Sequence, residues 1–168
     1  MRKEIIESYP DADLSIIMVW LPMVPGDGER AARRRARELR DPRVRHFYDP
    51  DKLVGLAFAE DVFGDCIGQA LTALPNNHRL REHLEQWQGE PAARRVVWDA
   101  FFVYPQDFHW SDRVPKPARW AKQVEFFPGG GPGEPTGTFW ADDCATTPYA
   151  SDWHAEVRAL AHQVLSRR

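Results

Sequence analysis

Two apolar runs constrain the fold of this chain more than any other feature. Leu14 to Trp20 is rich in β-branched and large apolar residues with almost no polar interruption. Val96 to Tyr104 is a second run, in which only Asp99 is ionised at neutral pH. Such short, continuous runs suit strands covered on both faces of a parallel sheet. Helical patterns fall between them, so the expected class is α/β: a central, mostly parallel or mixed sheet flanked by helices. In that arrangement Ile17 and Phe102 are buried. Asp99 then sits inside an apolar strand and needs a cationic partner such as Arg43 or Arg45, or else carries a raised pKa.

The intervening segments read as follows. Residues 2–8 form a short helix with Ile5 and Ile6 for the core, closed by Tyr9 and Pro10. Pro22, Pro25, Gly26 and Gly28 make a loop into a helix from Gly28 to Arg40, with Ala32, Ala36 and Leu39 inward. Asp41-Pro42 stops it, and Val44 to Tyr48 alternates as a short strand. Asp51 is placed to cap a helix from Lys52, weakened later by Gly64 and Gly68 and ended at Pro75. A further helix covers His78 to Gln88. Beyond Pro105, residues 105–137 form a Pro-, Gly- and aromatic-rich excursion. Within it Gln123 to Phe127 pairs with Thr138 to Ala141 around a Pro- and Gly-rich loop. A terminal helix capped by Ser151 or Asp152 carries Trp153, Val157, Leu160, Ala161, Val164 and Leu165 on one stripe.

Composition narrows the function classes. The 168 residues fit a single domain. No apolar run approaches the ~18 residues of a membrane span, and no signal-peptide core follows Met1, so the expected compartment is the cytoplasm. Two distant cysteines, Cys66 and Cys144, make no disulfide scaffold and no zinc-ligand pair; both are expected as thiols, with Cys66 a small core residue. Eight arginines stand against three acids between Glu29 and Arg45, although the chain carries a net charge of -3. A basic patch so confined, centred on Arg30, Arg33, Arg34 and Arg37, reads as the solvated face of an amphipathic helix rather than a nucleic-acid surface. For the protein as a whole a protein partner or a homo-oligomer is the expectation, and nucleic acid is not.

The segment DPDKLVGLAFAEDVFG resembles the passage by which thioredoxin-like proteins enter an inserted helix. VWLPMVPGD, DPRVRHFYD and VVWDAFFVYP are similar to a group of bacterial thioredoxin-like proteins. The likeness covers about residues 2–104. It implies a thioredoxin-like sheet lacking its usual first strand, because the chain begins inside the helix that follows that strand. It also implies that the dithiol motif is missing, since no cysteine precedes Cys66. The slot of the absent strand must be filled or avoided, or it leaves backbone groups unpaired.

Few residues carry chemistry. Phe139 to Cys144 looks like the thioredoxin passage F-W-A-x-x-C, with Thr147 where a second cysteine would stand; a catalytic Cys144 would be a monothiol site. Asp142 and Asp143 disfavour its thiolate. His46, Asp49 and Asp51 gather around a strand-to-helix loop at a sheet end, where they make a candidate binding or metal cluster, although Asp49 and Asp51 also suit a turn and a cap. Trp20, Asp99, Tyr104 and Trp110 complete the candidate binding residues, the aromatics as the floor of a groove. No histidine spacing makes a metal motif, and the glycine-rich loop Gly129 to Gly133 is no phosphate cradle, so no cofactor or metal is expected. The leading expectation is a non-catalytic binding or assembly protein. A thiol redox protein using Cys144, and a metal- or small-molecule-dependent enzyme around His46, Asp49 and Asp99, are the rivals.

Overall fold

The computed structural model describes residues 2–77, 79–106, 108–126 and 137–141, together with residues 159 and 162; at 2–4, 79–80, 123–126 and 137–141 only the backbone is described. The fold is mixed α/β with small sheets. Among the described residues no helix is long and apolar enough to cross a membrane.

A π-type helical turn, Arg2–Glu7, opens the chain and buries Ile6. Strand β1 (Ile16–Trp20) leads through α1 (Glu29–Glu38) to β2 (Val44–Tyr48), and the two strands pair in parallel from Ile16↔Val44 to Trp20↔Tyr48. Helix α1 buries Ala32, with Ala36 and Leu39 partly covered, as its spacing requires. The single helix expected after Lys52 is instead two, α2 (Leu53–Asp61) and α3 (Gly64–Ala73), broken at Val62 and Phe63. Helix α4 (Arg79–Gly89) packs on α3. Strand β3 (Ala100–Val103) pairs antiparallel with β4 (Arg119–Phe126), and β4 with β5 (Gly137–Ala141), with a register shift between Gln123 and Glu125.

The core lies where α2, α3 and α4 meet β3 and β4. Phe63 is fully buried and meets Trp120 edge-on at 4.6 Å, while Phe58 stacks on Phe102 at 4.0 Å. Burial of such rings dominates core energetics. The Pro-rich excursion is fastened to this core, because Asp61 accepts from Arg113 Nε (2.9 Å) and Nη2 (2.8 Å) and from the Val114 amide (2.8 Å).

Three expectations are corrected. The strands form two sheets, β1-β2 and β3-β4-β5, rather than one central sheet. The second apolar run is not one strand: Val96 and Val97 are buried against α2, and Asp99 takes a left-handed conformation (φ 49°) that holds the strand back to Ala100. Asp tolerates that region better than most residues. Ile17 is 64% exposed and Phe47 53%. Both point to the face of the parallel pair opposite α1, and apolar pattern alone cannot tell whether a second layer arrives there. Of the expected terminal helix only Ala159 and His162, both helical, are described; its cap and apolar stripe lie outside the described residues.

Candidate functional site

Of the sequence-derived candidates, Trp20, His46 and Asp49 come together at β1 and β2, while Asp99, Tyr104 and Trp110 lie elsewhere. The Trp20 indole Nε1 donates to His46 Nδ1 at 3.3 Å, and the two rings stack with centroids 6.1 Å apart. His46 Nε2 lies 3.2 Å from the Leu39 carbonyl oxygen. A carbonyl only accepts and an indole N–H only donates, so both ring nitrogens of His46 are engaged in this geometry. In that state it neither ligates a metal nor takes a proton without breaking a bond. Among the described residues no three His, Cys, Asp or Glu side chains come together as a metal would require.

Asp49 takes the role expected of Asp51. Its Oδ2 accepts from the Val54 amide at 2.8 Å, capping the first turn of α2, and its own amide extends the ladder to Trp20 O at 3.0 Å. This reach is possible because Lys52 adopts a left-handed conformation (φ 60°). Asp51 is exposed and caps nothing.

Asp99 is neither inside a strand nor paired with arginine. It stands partly open just before β3, its carboxyl pushed up by desolvation, pulled back by the Lys122 ammonium and pushed further by Asp27. Lys122, opposite Ala100 on β4, is brought down to about 8 by desolvation, with Asp99 opposing that shift. Sequence reading passes over Lys122; its only signal is a cation at a core-facing parity with Trp120. Arg43 is committed elsewhere. It forks onto Asp41 (2.9 and 3.0 Å), holding that carboxyl at about 2, and donates to the carbonyls of Ile6, Tyr9 and Pro10. Arg45 is exposed on the open face of the sheet.

The aromatic residues divide between core and surface. Phe63, Phe102 and Trp120 are packing residues. Tyr104, Phe108 and Trp110 form a string on the excursion, with Tyr104 and Phe108 at 4.2 Å. The Tyr104 hydroxyl donates to Pro115 O at 3.1 Å, and burial pushes it up to about 12. Trp110, 57% exposed, meets Phe58 edge-on. The string braces the excursion.

Arg30, Arg33, Arg34 and Arg37 are all exposed on α1. Arg33 pairs with Glu29 at 2.6 Å and Arg35 with Glu38 at 2.8 Å, so the patch is partly neutralised along its own helix. Between the end of α1 and β2 lies a cavity of about 360 Å³ lined by Ala36, Leu39, Arg40, Asp41, Pro42, Val44 and His46. Cys66 is not the free thiol that its sequence context predicts: it is disulfide-bonded, and it is 4% exposed on α3. The sequence has one other cysteine, Cys144, which lies outside the described residues.

Comparison with protein-family models, with curated proteins and with solved structures gives no match to this chain.

Proposed function

We propose that this chain is a thioredoxin-like scaffold that works by binding or assembly rather than by catalysis. What supports the scaffold reading is the order of elements: a parallel β-α-β unit, helices, then an antiparallel hairpin. Strand β3 also runs opposite to β1, since Gln106 beyond its end bonds Asp13 ahead of β1 at 2.7 Å, while Asp99 at its start feels Asp27 beyond β1. The division into two sheets departs from that scaffold.

The observation that carries the binding reading is His46. The side chain best suited to acid-base or metal chemistry is held between Trp20 and Leu39 O, and its neighbour Asp49 is spent as a helix cap. What remains open is surface: the arginines of α1, the outer edge of β2, and Phe47 and Ile17.

A second reading has one observation in its favour, the disulfide at Cys66. Disulfides persist in oxidising compartments and are rare in the cytosol, so the cytoplasmic expectation and a lasting disulfide pull apart. A sulfur as buried as Cys66 is shielded from an attacking thiolate, which favours a structural bond over a cycling one. Thiol-disulfide exchange with a glutathione-based substrate separates the two readings. Turnover by the wild type no greater than by Cys66→Ala supports binding; turnover that depends on Cys66 replaces it with the redox reading.

A further inference from the structure

Among the described residues β2 ends its sheet, and no strand pairs with its outer edge. The flanking bonds Ile16 N to Arg43 O (2.8 Å) and Asp49 N to Trp20 O (3.0 Å), with the parallel register, fix the alternation of the ladder. Arg45 and Phe47 turn their backbone groups toward β1. His46 and Tyr48 therefore turn theirs outward, as Val44 does its carbonyl, and none of these groups meets a backbone partner among the described residues. Such an edge is a template for another strand.

The other edge of the pair, on β1, is framed at both ends. Asp13 is tied to Gln106 on one side, and Leu21 lies against the Gly55 position on the other. Among the described residues no such frame is found at the β2 edge, and Val44 and His46 of β2 border the α1 cavity. Ala36, Leu39, Pro42 and Val44 give that cavity apolar walls, and Arg40 stands at its rim. Arg40 lines the cavity, Arg45 is exposed on β2 and Arg37 is exposed on α1 three residues before Arg40; none has an acidic partner among the described residues. Asp41, the carboxylate among the residues that line the cavity, is paired with Arg43.

We propose that the outer edge of β2 and the adjoining α1 groove take an extended peptide of a partner protein, apolar at its centre and acidic at its flanks. The added strand pairs with the backbone of His46 and Tyr48, one apolar side chain enters the cavity, and its carboxylates meet Arg37, Arg40 and Arg45. Backbone pairing supplies affinity and alternate side chains supply selectivity in this mode of recognition. The chemistry favours a peptide over a nucleic acid, which has phosphates for the arginines but no amide ladder for the edge. A second copy fits less well, because it brings its own row of arginines against this one. The inference rests on the binding reading above and names its ligand class.

The test uses the full chain and the blocked peptide DEVIVDE, with DEVPVDE, KKVIVKK and a single-stranded oligonucleotide as comparators. Amide NMR is expected to show DEVIVDE shifting and protecting His46 and Tyr48 while leaving Ile17 and Val19 unmoved. The proline peptide and the basic peptide should bind at least about tenfold more weakly, and raising salt to ~1 M should weaken DEVIVDE as surface charges are screened. The variant pair Arg40→Glu and Arg45→Glu, both exposed, should do the same without unfolding. Binding of the oligonucleotide but not DEVIVDE overturns the proposal, as does equal binding of DEVPVDE, peptide shifts confined to residues away from β2, or protection of His46 and Tyr48 that grows with protein concentration alone. Those failures leave the exchange assay of Cys66→Ala untouched, so the wider binding reading falls only on its own result.

Discussion

Gly55 offers the sharpest test of how α2 is seated. A Cβ built there lies 2.5 Å from Val96 Cγ1 and 2.7 Å from the Val97 carbonyl oxygen, with Leu21 Cδ1 at 3.2 Å. The first neighbour can swing aside; the second is backbone, and its own amide is bonded to Gly55 O at 3.0 Å. Gly55→Ala must therefore push the 96–97 segment off the helix. Overpacking costs ~1–3 kcal/mol, and the backbone contact puts this site toward the upper end. Alanine returns ~1 kcal/mol of helix propensity, so the net loss should be about 2 kcal/mol. Gly68 is the internal control, since it lies in α3 with nothing within 4 Å of an added methyl group. Gly68→Ala should gain ~0.5–1 kcal/mol by propensity and reduced unfolded-state freedom. Urea unfolding of the pair, compared at equal slope, reads both signs. If Gly55→Ala is as stable as wild type, Val96 and Val97 do not pack on α2 and the core is wrongly drawn.

The other expectations are shorter. Asp61 is held below its usual range by the Val114 amide and the Arg113 guanidinium, so its contribution is full above the unfolded value of ~3.9 and fades as pH falls through the folded value. The protection of the Val114 amide, taken relative to its intrinsic exchange rate at each pH, should fall in acid, and Asp61→Asn should lower it already at pH 7. Lys122 has the opposite kind of shift for a cation: above about 8 the folded state has lost a proton that the unfolded chain still holds, so stability should rise between about 8 and the unfolded value of ~10.4. Lys122→Met should remove that rise and add stability at pH 7, both seen by urea melts across the range; a flat wild-type profile would refute the desolvation. Lys52→Gly should gain ~0.5–1 kcal/mol, because glycine occupies the left-handed region without the Cβ penalty.

The β1-α1-β2 unit is the most legible part of the chain. Its strands are five-residue runs with clear alternation or continuity, and the helix between them has one small-residue stripe in a row of arginines. These are local signals. The misreadings arise where distant residues decide. Asp99 looks like an acid buried in a strand because its neighbours are apolar, but one left-handed residue ends the strand there, and the neutralising cation comes from β4. Asp49 and Asp51 differ in sequence by two places and in role by the turn at Lys52, which swings only Asp49 onto the Val54 amide. His46 stands out in the sequence as a residue of interest, yet its chemistry depends on Trp20, 26 positions earlier, and on the carbonyl of Leu39. Ile17 and Phe47 carry the pattern of a doubly covered strand; whether a layer covers them is set by packing that periodicity does not encode.

The same bonds that remove His46 from chemistry build the groove beside it. The ring is fixed by Trp20 on one nitrogen and Leu39 O on the other, which keeps the end of α1 at a set distance from β2. The loop that turns between them, Asp41 to Arg43, is closed by the Asp41–Arg43 fork and by the Arg43 amide to Asp41 Oδ1 at 2.9 Å. Arg43 then reaches three carbonyls of the opening segment, so the floor of the site is anchored to residues more than thirty positions away. A cavity whose walls are held in this way exists before any ligand arrives. On the proposal above, an added strand would have to order only itself, and the cost of association would be smaller than for a site that must also be assembled. Under the proposed binding reading, the two bonds that engage the His46 ring are also the ones that hold the groove beside the strand edge.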